Sequence, residues 1–155
     1  MRNKRPQLAS LFYQAALMSD PENWEAHFNL GCQAWREGKI DKALSSWESS
    51  LKSNPNNHLA HFNLGTYFLY NRNLSAARYH LSRVRRIKPD YLAGRVNLGT
   101  TYLLLGLFNA AKNEYNYVLK LKPDHVGARR GLDLVDKVNS GKKIKQINYK
   151  TLGYN

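Results

Sequence analysis

The sequence predicts an all-α fold, an array of antiparallel helix pairs stacked side by side. Four prolines recur every 34 residues, at Pro21, Pro55, Pro89 and Pro123. A short segment recurs at the same spacing, as His27-Phe28-Asn29-Leu30-Gly31, His61-Phe62-Asn63-Leu64-Gly65 and Arg95-Val96-Asn97-Leu98-Gly99. Ala9, Ala43, Ala77 and Ala111 share that spacing, and each precedes by four residues a bulky side chain, namely Tyr13, Trp47, Leu81 and Tyr115. Such a period is typical of arrays in which each unit buries its apolar face only against its neighbours.

Each repeat reads as two helices joined by a tight turn. In repeat one the first helix is predicted from about Asn23 to Glu37, because apolar residues recur there at helical spacing. Gly38 ends it, since glycine tolerates the left-handed backbone that such a turn needs. The second helix is predicted from Ile40 to Lys52, before Pro55, which cannot continue a helix.

The next two repeats copy this plan. The predicted helices are His58–Tyr70 and Leu74–Ile87 in repeat two, then Leu92–Leu105 and Phe108–Leu121 in repeat three. Gly106 occupies the turn of repeat three. Repeat two has Arg72 at that place, between Asn71 and Asn73, and asparagine is the next best residue for that backbone conformation.

We predict a single domain over residues 1–138, followed by a basic, flexible tail over 139–155. Its predicted parts are a half unit at 6–19, repeats at 24–57, 58–91 and 92–125, and a capping helix at 126–138. The capping helix is expected to turn Val126, Leu132, Val135 and Val138 inward and its charged residues to water, as terminal units of such arrays require.

Glycines mark predicted close contacts between helices. Gly31, Gly65 and Gly99 follow the core leucines of the recurring segment, and we expect each to pair with the alanine of its own repeat. A larger residue at such a contact would overpack it by about 1–3 kcal/mol.

Composition limits the class of protein. One cysteine, Cys32, excludes an intrachain disulfide and fits a reducing compartment, so we predict a cytoplasmic protein. No apolar run approaches the ~20 residues that span a bilayer. Residues 1–7 are basic and residues 8–18 fairly apolar, which leaves organellar import open. A structural helix is favoured there, because Ala9, Tyr13 and Pro21 keep the repeat register.

The repeated residues resemble the tetratricopeptide repeat, a 34-residue helix–turn–helix with leucine-glycine, alanine, aromatic and proline places. The resemblance implies an α-solenoid, a right-handed superhelix whose concave groove is lined by the first helix of each of three full units. In this family the partners are usually peptides or proteins. One departure recurs, because His27, His61 and Arg95 stand where the family often has tryptophan, and we expect slightly weaker packing there.

By the family's geometry, a peptide-binding groove should be lined by one set of side chains per repeat. They are Phe28, Asn29, Cys32 and Trp35, then Phe62, Asn63, Thr66, Leu69 and Tyr70, then Val96, Asn97, Thr100 and Leu103. The asparagines Asn29, Asn63 and Asn97 would form a ladder, since an amide can both donate to and accept from an extended chain. The alternatives are that these amides satisfy internal polar groups and that the aromatic residues are inter-repeat packing.

A subset of the family grips the acidic tail of heat-shock chaperones with cationic groove residues. The matching places here hold Phe28, Cys32, Asn63, Ala93 and Asn97, none of them cationic. A bound carboxylate would lack its charged partner, so this interpretation is disfavoured.

Net charge is +13 and unevenly placed. A basic patch of Arg78, Arg83, Arg85 and Arg86 lies on the second helix of repeat two, with Tyr79 nearby, and we expect it on the outer face. Such a patch suits RNA, an acidic protein or an anionic membrane surface, with contacts mainly to phosphates. The alternative is a solvated face that keeps the protein soluble.

No catalytic motif is present, and we predict neither an enzyme nor a small-molecule substrate, cofactor or metal. His58 and His61 lie on one helical face, but no Cys, Asp or Glu completes a metal site there. The first hypothesis is a scaffold or assembly factor that holds an extended segment of another protein. The second is an RNA- or ribosome-associated adaptor that uses the basic face. A third is self-association through Leu8, Leu11, Phe12 and Leu17 at the N-terminal edge, where a preceding helix is lacking.

Overall fold

The computed structural model describes residues 5–140, and their side chains from Leu8 onward. This part of the chain is all-α and has no strand. Its helices are α1 Arg5–Ser19, α2 Trp24–Arg36, α3 Ile40–Ser53, α4 His58–Tyr70, α5 Leu74–Ile87, α6 Leu92–Leu104, α7 Phe108–Leu121 and α8 Val126–Asn139. Helices adjacent in sequence pack as pairs, so the predicted fold class is confirmed. The predicted tail lies outside the described residues after Ser140.

The chain divides into two compact units. The first ends at Leu64 and the second begins at Gly65, so the boundary falls inside α4. In the first unit α2 packs on α3 and on α1. In the second unit α6 packs on α5, α7 and α8, and α7 also packs on α8. The single domain over residues 1–138 stays a prediction.

The residue before the first helix of a repeat keeps the 34-residue register, and at three of the four such positions its side chain caps the helix that follows. Asn23 caps α2, because its side chain accepts a hydrogen bond from the backbone N–H of Ala26 at 2.9 Å. Asn57 caps α4 in the same way, and His125 caps α8 through Nδ1. Tyr91 holds this place before α6 and makes no such bond. Capping satisfies N–H groups that the first helical turn leaves without partners.

A left-handed residue stands at the turn of each repeat. The φ angles are 73° at Gly38, 60° at Arg72 and 74° at Gly106. In repeat two the arginine itself therefore adopts this conformation, rather than either of its asparagine neighbours. The residue after each of them donates its N–H to a carbonyl five residues back, at 2.9 Å in all three turns.

The residues that stand in place of tryptophan share a hydrogen bond to the carbonyl oxygen of a proline. The donor is the fourth residue of each first helix, and the acceptor is the carbonyl oxygen of the proline six residues earlier. His27 Nε2 lies 2.9 Å from Pro21 O, His61 Nε2 3.2 Å from Pro55 O, Arg95 Nε 2.7 Å from Pro89 O, and Arg129 Nε 2.7 Å from Pro123 O. Because a carbonyl only accepts, each histidine carries its proton on Nε2. We call this bond the proline clasp.

The small residues of each repeat allow close approach. The predicted alanine is a neighbour in repeat one, where a Cβ built on Gly31 would lie 3.1 Å from Ala43 O, but the nearest atoms belong to a bulkier residue in all three repeats. A Cβ built on Gly31 would lie 2.6 Å from the Trp47 ring, and one on Gly99 would lie 2.7 Å from the Tyr115 ring. Gly65 meets Leu81 in the same way. Each glycine therefore admits the bulky residue of the second helix, which the sequence places four residues after the alanine.

Tyr115 is the centre of the second unit. Its ring is fully buried between Gly99 of α6 and Gly131 of α8, and its hydroxyl lies 3.2 Å from Thr100 Oγ1. The cap α8 is therefore part of the core, through Ala128, Gly131, Leu134 and Val135. Val126, which we expected to face inward, is 58% exposed, because it lies in the first turn and off that stripe.

Candidate functional site

The predicted groove residues of repeat one lie on a single face of α2. Phe28, Asn29 and Cys32 are half-buried, and Trp35 is 43% exposed. The Asn29 amide donates to Glu25 O of its own helix at 2.9 Å. The Trp35 ring lies 5.7 Å from that of the buried Trp47, which holds its orientation. This face thus combines aromatic surface with an amide on a rigid element.

The first half of α4 extends this face within the same compact unit. Phe62 and Asn63 are half-buried, and Asn63 Nδ2 donates to Cys32 Sγ at 3.7 Å. That bond links α4 to α2. Burial raises the pKa of the Cys32 thiol, more than its bonds to Trp47 and Asn63 and the charge of Arg36 lower it. We call the residues Phe28, Asn29, Cys32, Trp35, Phe62 and Asn63 the α2–α4 face.

In the second unit the corresponding positions are mostly closed. Thr66 is half-buried and Tyr70 is exposed, but Asn97 is only 6% exposed and Thr100 only 1%. Asn97 Nδ2 donates to Thr66 Oγ1 at 2.9 Å, and Thr100 bonds to Tyr115. Val96 and Leu103 are buried as well. We therefore leave Thr100 out of the proposed contact surface.

Asn63 and Asn97 make the same kind of hydrogen bond to the preceding repeat. Such an internal role was the alternative that the sequence left open. Asn63 and Asn97 each donate to the polar residue 31 positions earlier, Cys32 or Thr66. The small polar residues at positions 32, 66 and 100, themselves 34 apart, were the signal for it. Thr100 lacks an asparagine partner because Gly131 stands at the equivalent place of α8, so it pairs with Tyr115 instead.

The second surface is an open concave site along α5, of about 670 Å³. We call it the α5 arginine site. It is lined by two serines and by Arg78, Tyr79, Arg83, Arg85, Arg86 and Tyr102. All four arginines of the predicted basic patch thus border one depression, together with the tyrosine that the sequence placed nearby. Tyr102, from α6, is a wall residue that the sequence analysis did not name.

A buried acid fixes one of these arginines. Glu114 of α7 is almost fully buried, and its two carboxylate oxygens lie 2.8 Å from Arg85 Nη1 and 2.8 Å from Arg95 Nη1. The hydrogen bond that Arg85 donates to Glu114 raises the pKa of Arg85 above its usual range. Arg95 also stacks on the Tyr117 ring at 3.6 Å. Arg85 is therefore paired and held in place, whereas Arg78 and Arg86 are exposed.

An aromatic stack supports the tyrosine of the α5 arginine site. Tyr79 is 61% exposed, and its ring meets the His80 ring edge-on, with centroids 5.0 Å apart. His80 in turn stacks on Phe68 at 5.7 Å, with 20° between the planes. The Tyr79 ring is thus exposed to solvent, and its contact with His80 limits its motion.

The N-terminal edge exposes apolar side chains. Leu8, Leu11 and Phe12 of α1 are exposed, and Leu17 is half-buried. Self-association through this edge stays a prediction. Among residues 5–140 no helix is long and apolar enough to cross a membrane. No cluster of three or more His, Cys, Asp or Glu side chains that could hold a metal ion occurs in that range either.

These features define a helical repeat protein built from paired helices. A family model described as Tetratricopeptide repeat matches residues 28–91, and a second model with that description matches residues 93–125. The chain therefore belongs to the tetratricopeptide repeat family. Repeats of this family are generally non-catalytic interaction modules. A comparison with curated proteins gave no match.

Solved structures with the same fold include three that carry informative descriptions. YrrB, described as a TPR protein with an unusual peptide-binding site, has a TM-score of 0.78 and 19% identity, covering 92% of this chain and 73% of its own. MamA has a TM-score of 0.73 and 23% identity, covering 84% and 75%. The first TPR of Spaghetti (RPAP3), bound to the HSP90 peptide SRMEEVD, has a TM-score of 0.71 and 18% identity, covering 78% and 96%.

Proposed function

We propose that the protein is a non-catalytic scaffold or assembly factor that binds an extended segment of another protein on the α2–α4 face. The observation that carries this proposal is the exposed Trp35 ring on the face that also carries the Asn29 and Asn63 amides. Aromatic side chains supply apolar contact area, and an amide can bond to the backbone of an extended chain. Two structural neighbours, YrrB and the Spaghetti domain, are described with a peptide site or a bound peptide.

The extent of the proposed contact follows from burial. The closed positions Asn97 and Thr100 leave repeats one and two to supply the side chains that touch the peptide. Asn29 is the best-placed amide, because the hydrogen bond of its side chain stays within its own helix, at Glu25 O. Asn63 also serves a structural role through Cys32. Thr66 and Tyr70 belong to the second unit, and their role as groove residues stays a prediction.

Tryptophan fluorescence offers a direct test. Peptides that bind the full chain are first selected from a displayed library of random sequences, then titrated while the emission is recorded. Trp47 is buried and Trp24 half-buried, so a peptide on the α2–α4 face should shift mainly the Trp35 emission. Asn29→Ala should weaken binding about fivefold, the effect of about one hydrogen bond.

Asn116→Ala on α7, an exposed asparagine of the second unit, is the matched control and should leave the affinity unchanged. In Trp35→Phe the binding-induced change in emission should disappear. Peptides that bind Asn29→Ala and Trp35→Ala as tightly as the original chain would place the contact elsewhere and refute the proposal.

A second candidate function is contact with RNA or another polyanion through the α5 arginine site. It is supported by the convergence of Arg78, Arg83 and Arg86 on one concave surface. Binding by phosphate contacts should weaken steeply as salt rises, because counterions are released when the contacts form. Affinity for heparin that is already lost at low salt would contradict this candidate.

A further inference from the structure

We infer that the α5 arginine site binds a single-stranded polynucleotide, whose phosphates contact Arg78 and Arg86 and one of whose bases stacks on Tyr79. This inference rests on the second candidate function and deepens it, because it names the class of ligand and the side chains that recognise it. RNA and single-stranded DNA share the chemistry concerned, namely phosphates and exposed base faces.

The charge of the site selects an anion. Its lining consists of arginines, tyrosines and serines, and within the described residues no acid borders it. The Glu114 carboxylate accepts a hydrogen bond from Arg85, so the positive charge exposed in the site comes mainly from Arg78 and Arg86. Arginine pairs with phosphate through parallel N–H···O bonds, which lysine cannot do. The site thus has the donors that a phosphate backbone requires.

The exposed Tyr79 ring favours single-stranded polynucleotides over other polyanions. An acidic or phosphorylated peptide would use the arginines but has no need of an exposed aromatic ring. A duplex keeps its bases stacked inside, so it offers no base to such a ring. Base stacking on an aromatic side chain is a recurrent means of holding single strands with little sequence preference. The ring is also fixed in advance by His80, whose edge contact limits the freedom lost on binding.

The length of the site suits a short stretch of strand. Arg78 and Arg86 are eight residues apart on one helix, which corresponds to about 12 Å along its axis. Arg78 and Tyr79 both line the site, so the stacked base would lie near the phosphate held by that arginine. Tyr102 of α6 forms the opposite wall.

Fluorescence anisotropy with the full chain tests this inference. The probes are labelled oligouridylate and oligothymidylate of about 12 nucleotides, an RNA duplex of similar length and a phosphorylated acidic peptide. Both single strands should bind, and the duplex and the peptide should bind at least about tenfold more weakly. A difference between the two single strands would tell whether the natural ligand is RNA or DNA.

Variants then separate stacking from charge. Tyr79→Leu should weaken binding of the single strands about tenfold, whereas Tyr79→Phe, which keeps the ring, should not. Arg78→Gln combined with Arg86→Gln should lower the slope of log affinity against log salt by about 1.4, since two phosphate contacts are lost. Lys120→Gln combined with Arg130→Gln removes the same charge from exposed positions elsewhere in the unit and should have a much smaller effect.

The outcomes distinguish this inference from the function on which it rests. If no polynucleotide binds even at low salt, the second candidate function fails, and the inference with it. If single strands bind but Tyr79→Leu binds them as tightly as Tyr79→Phe, only the inference fails. Equal affinity for the duplex or the phosphorylated peptide, or an equal loss in the lysine and arginine control, would also overturn it. Circular dichroism of each variant verifies that its helices are intact.

Discussion

Single residues show how strongly the repeat register governs backbone conformation. Arg72 adopts a φ of 60°, the conformation that the glycines of the other two turns adopt at 73° and 74°. The left-handed conformation costs an L-residue other than glycine or asparagine roughly 1–2 kcal/mol. The surrounding helices α4 and α5 impose it on Arg72 all the same, because the hydrogen bond from Asn73 N to Phe68 O closes the turn.

Arg72→Gly should therefore stabilise the protein by about 1 kcal/mol, because glycine adopts this φ without steric cost. The free energy of unfolding from urea titration, followed by circular dichroism, measures the effect. Arg72→Ala is the matched control: it also removes the side chain but keeps the Cβ atom, so it should give no gain. A gain of equal size in both variants would attribute the effect to the lost arginine side chain rather than to the backbone.

Glu114 is a buried acid that makes two ion pairs. Its carboxylate is buried and pairs with Arg85 and Arg95, each at 2.8 Å. Glu114→Gln keeps the shape but leaves two guanidinium groups without a counter-charge, so we expect a loss of about 3 kcal/mol in the free energy of unfolding.

The control for Glu114 is Asp136→Asn. Asp136 pairs with Lys112 at 3.2 Å, but both side chains are exposed, so the change should stay within about 0.5 kcal/mol. Urea unfolding of the two variants at one salt concentration provides the comparison. Similar effects from both substitutions would show that burial does not strengthen the Glu114 pairs.

At the scale of helices, the proline clasp joins the turn before each first helix to that helix. Two residue types that differ in size and charge, histidine and arginine, make the same bond at 34-residue spacing. What they share is a ring or guanidinium N–H that reaches the proline carbonyl. The sequence showed the register but not the bond, because the proline was assigned only the role of ending a helix.

Arg129→Leu should cost about 1 kcal/mol of unfolding free energy, because the Pro123 carbonyl before α8 loses its donor. The neighbouring Arg130 is exposed as well, so Arg130→Leu is the matched control and should change stability far less. Thermal unfolding of both variants gives the comparison. A loss of the same size in the two variants would mean that the clasp adds nothing beyond helix propensity.

The helices themselves were largely predictable. A fixed period places glycines, alanines and prolines at the same points of each unit, so the bounds of α3, α4, α5 and α7 agree with the prediction to within a residue. The residues that contact each other across helices were less predictable. Gly99 was assigned to Ala111, whereas Tyr115 occupies the space, because the contact depends on the direction of a side chain rather than on spacing.

The candidate surfaces were predictable only in part. Periodicity placed Asn29 and Asn97 at equivalent positions, yet the first is half-buried and the second buried. Their difference arises from neighbours one repeat away, namely the Thr66 hydroxyl that holds Asn97. The α5 arginine site was named from charge alone, but its concavity and the role of Glu114 required coordinates.

At the scale of the whole molecule, positive charges greatly outnumber negative ones. The net charge is +13, and residues 72–95 and 120–150 each carry a net +6. Self-repulsion of this size destabilises a compact state and is screened by salt over a Debye length of about 10 Å at 0.1 M. The exposed ion pairs respond oppositely to salt, but each contributes little.

We therefore expect the midpoint of thermal unfolding to rise by a few degrees, about 3 °C, when NaCl is raised from about 0.02 to about 0.2 M. Differential scanning calorimetry measures the shift in a concentration range where specific salt effects on apolar burial are small. Lys120→Gln combined with Arg130→Gln lowers the net charge by two and should reduce the rise. A midpoint that falls with salt would instead mean that attractive pairs such as Glu114 with Arg85 outweigh the repulsion among the remaining cations.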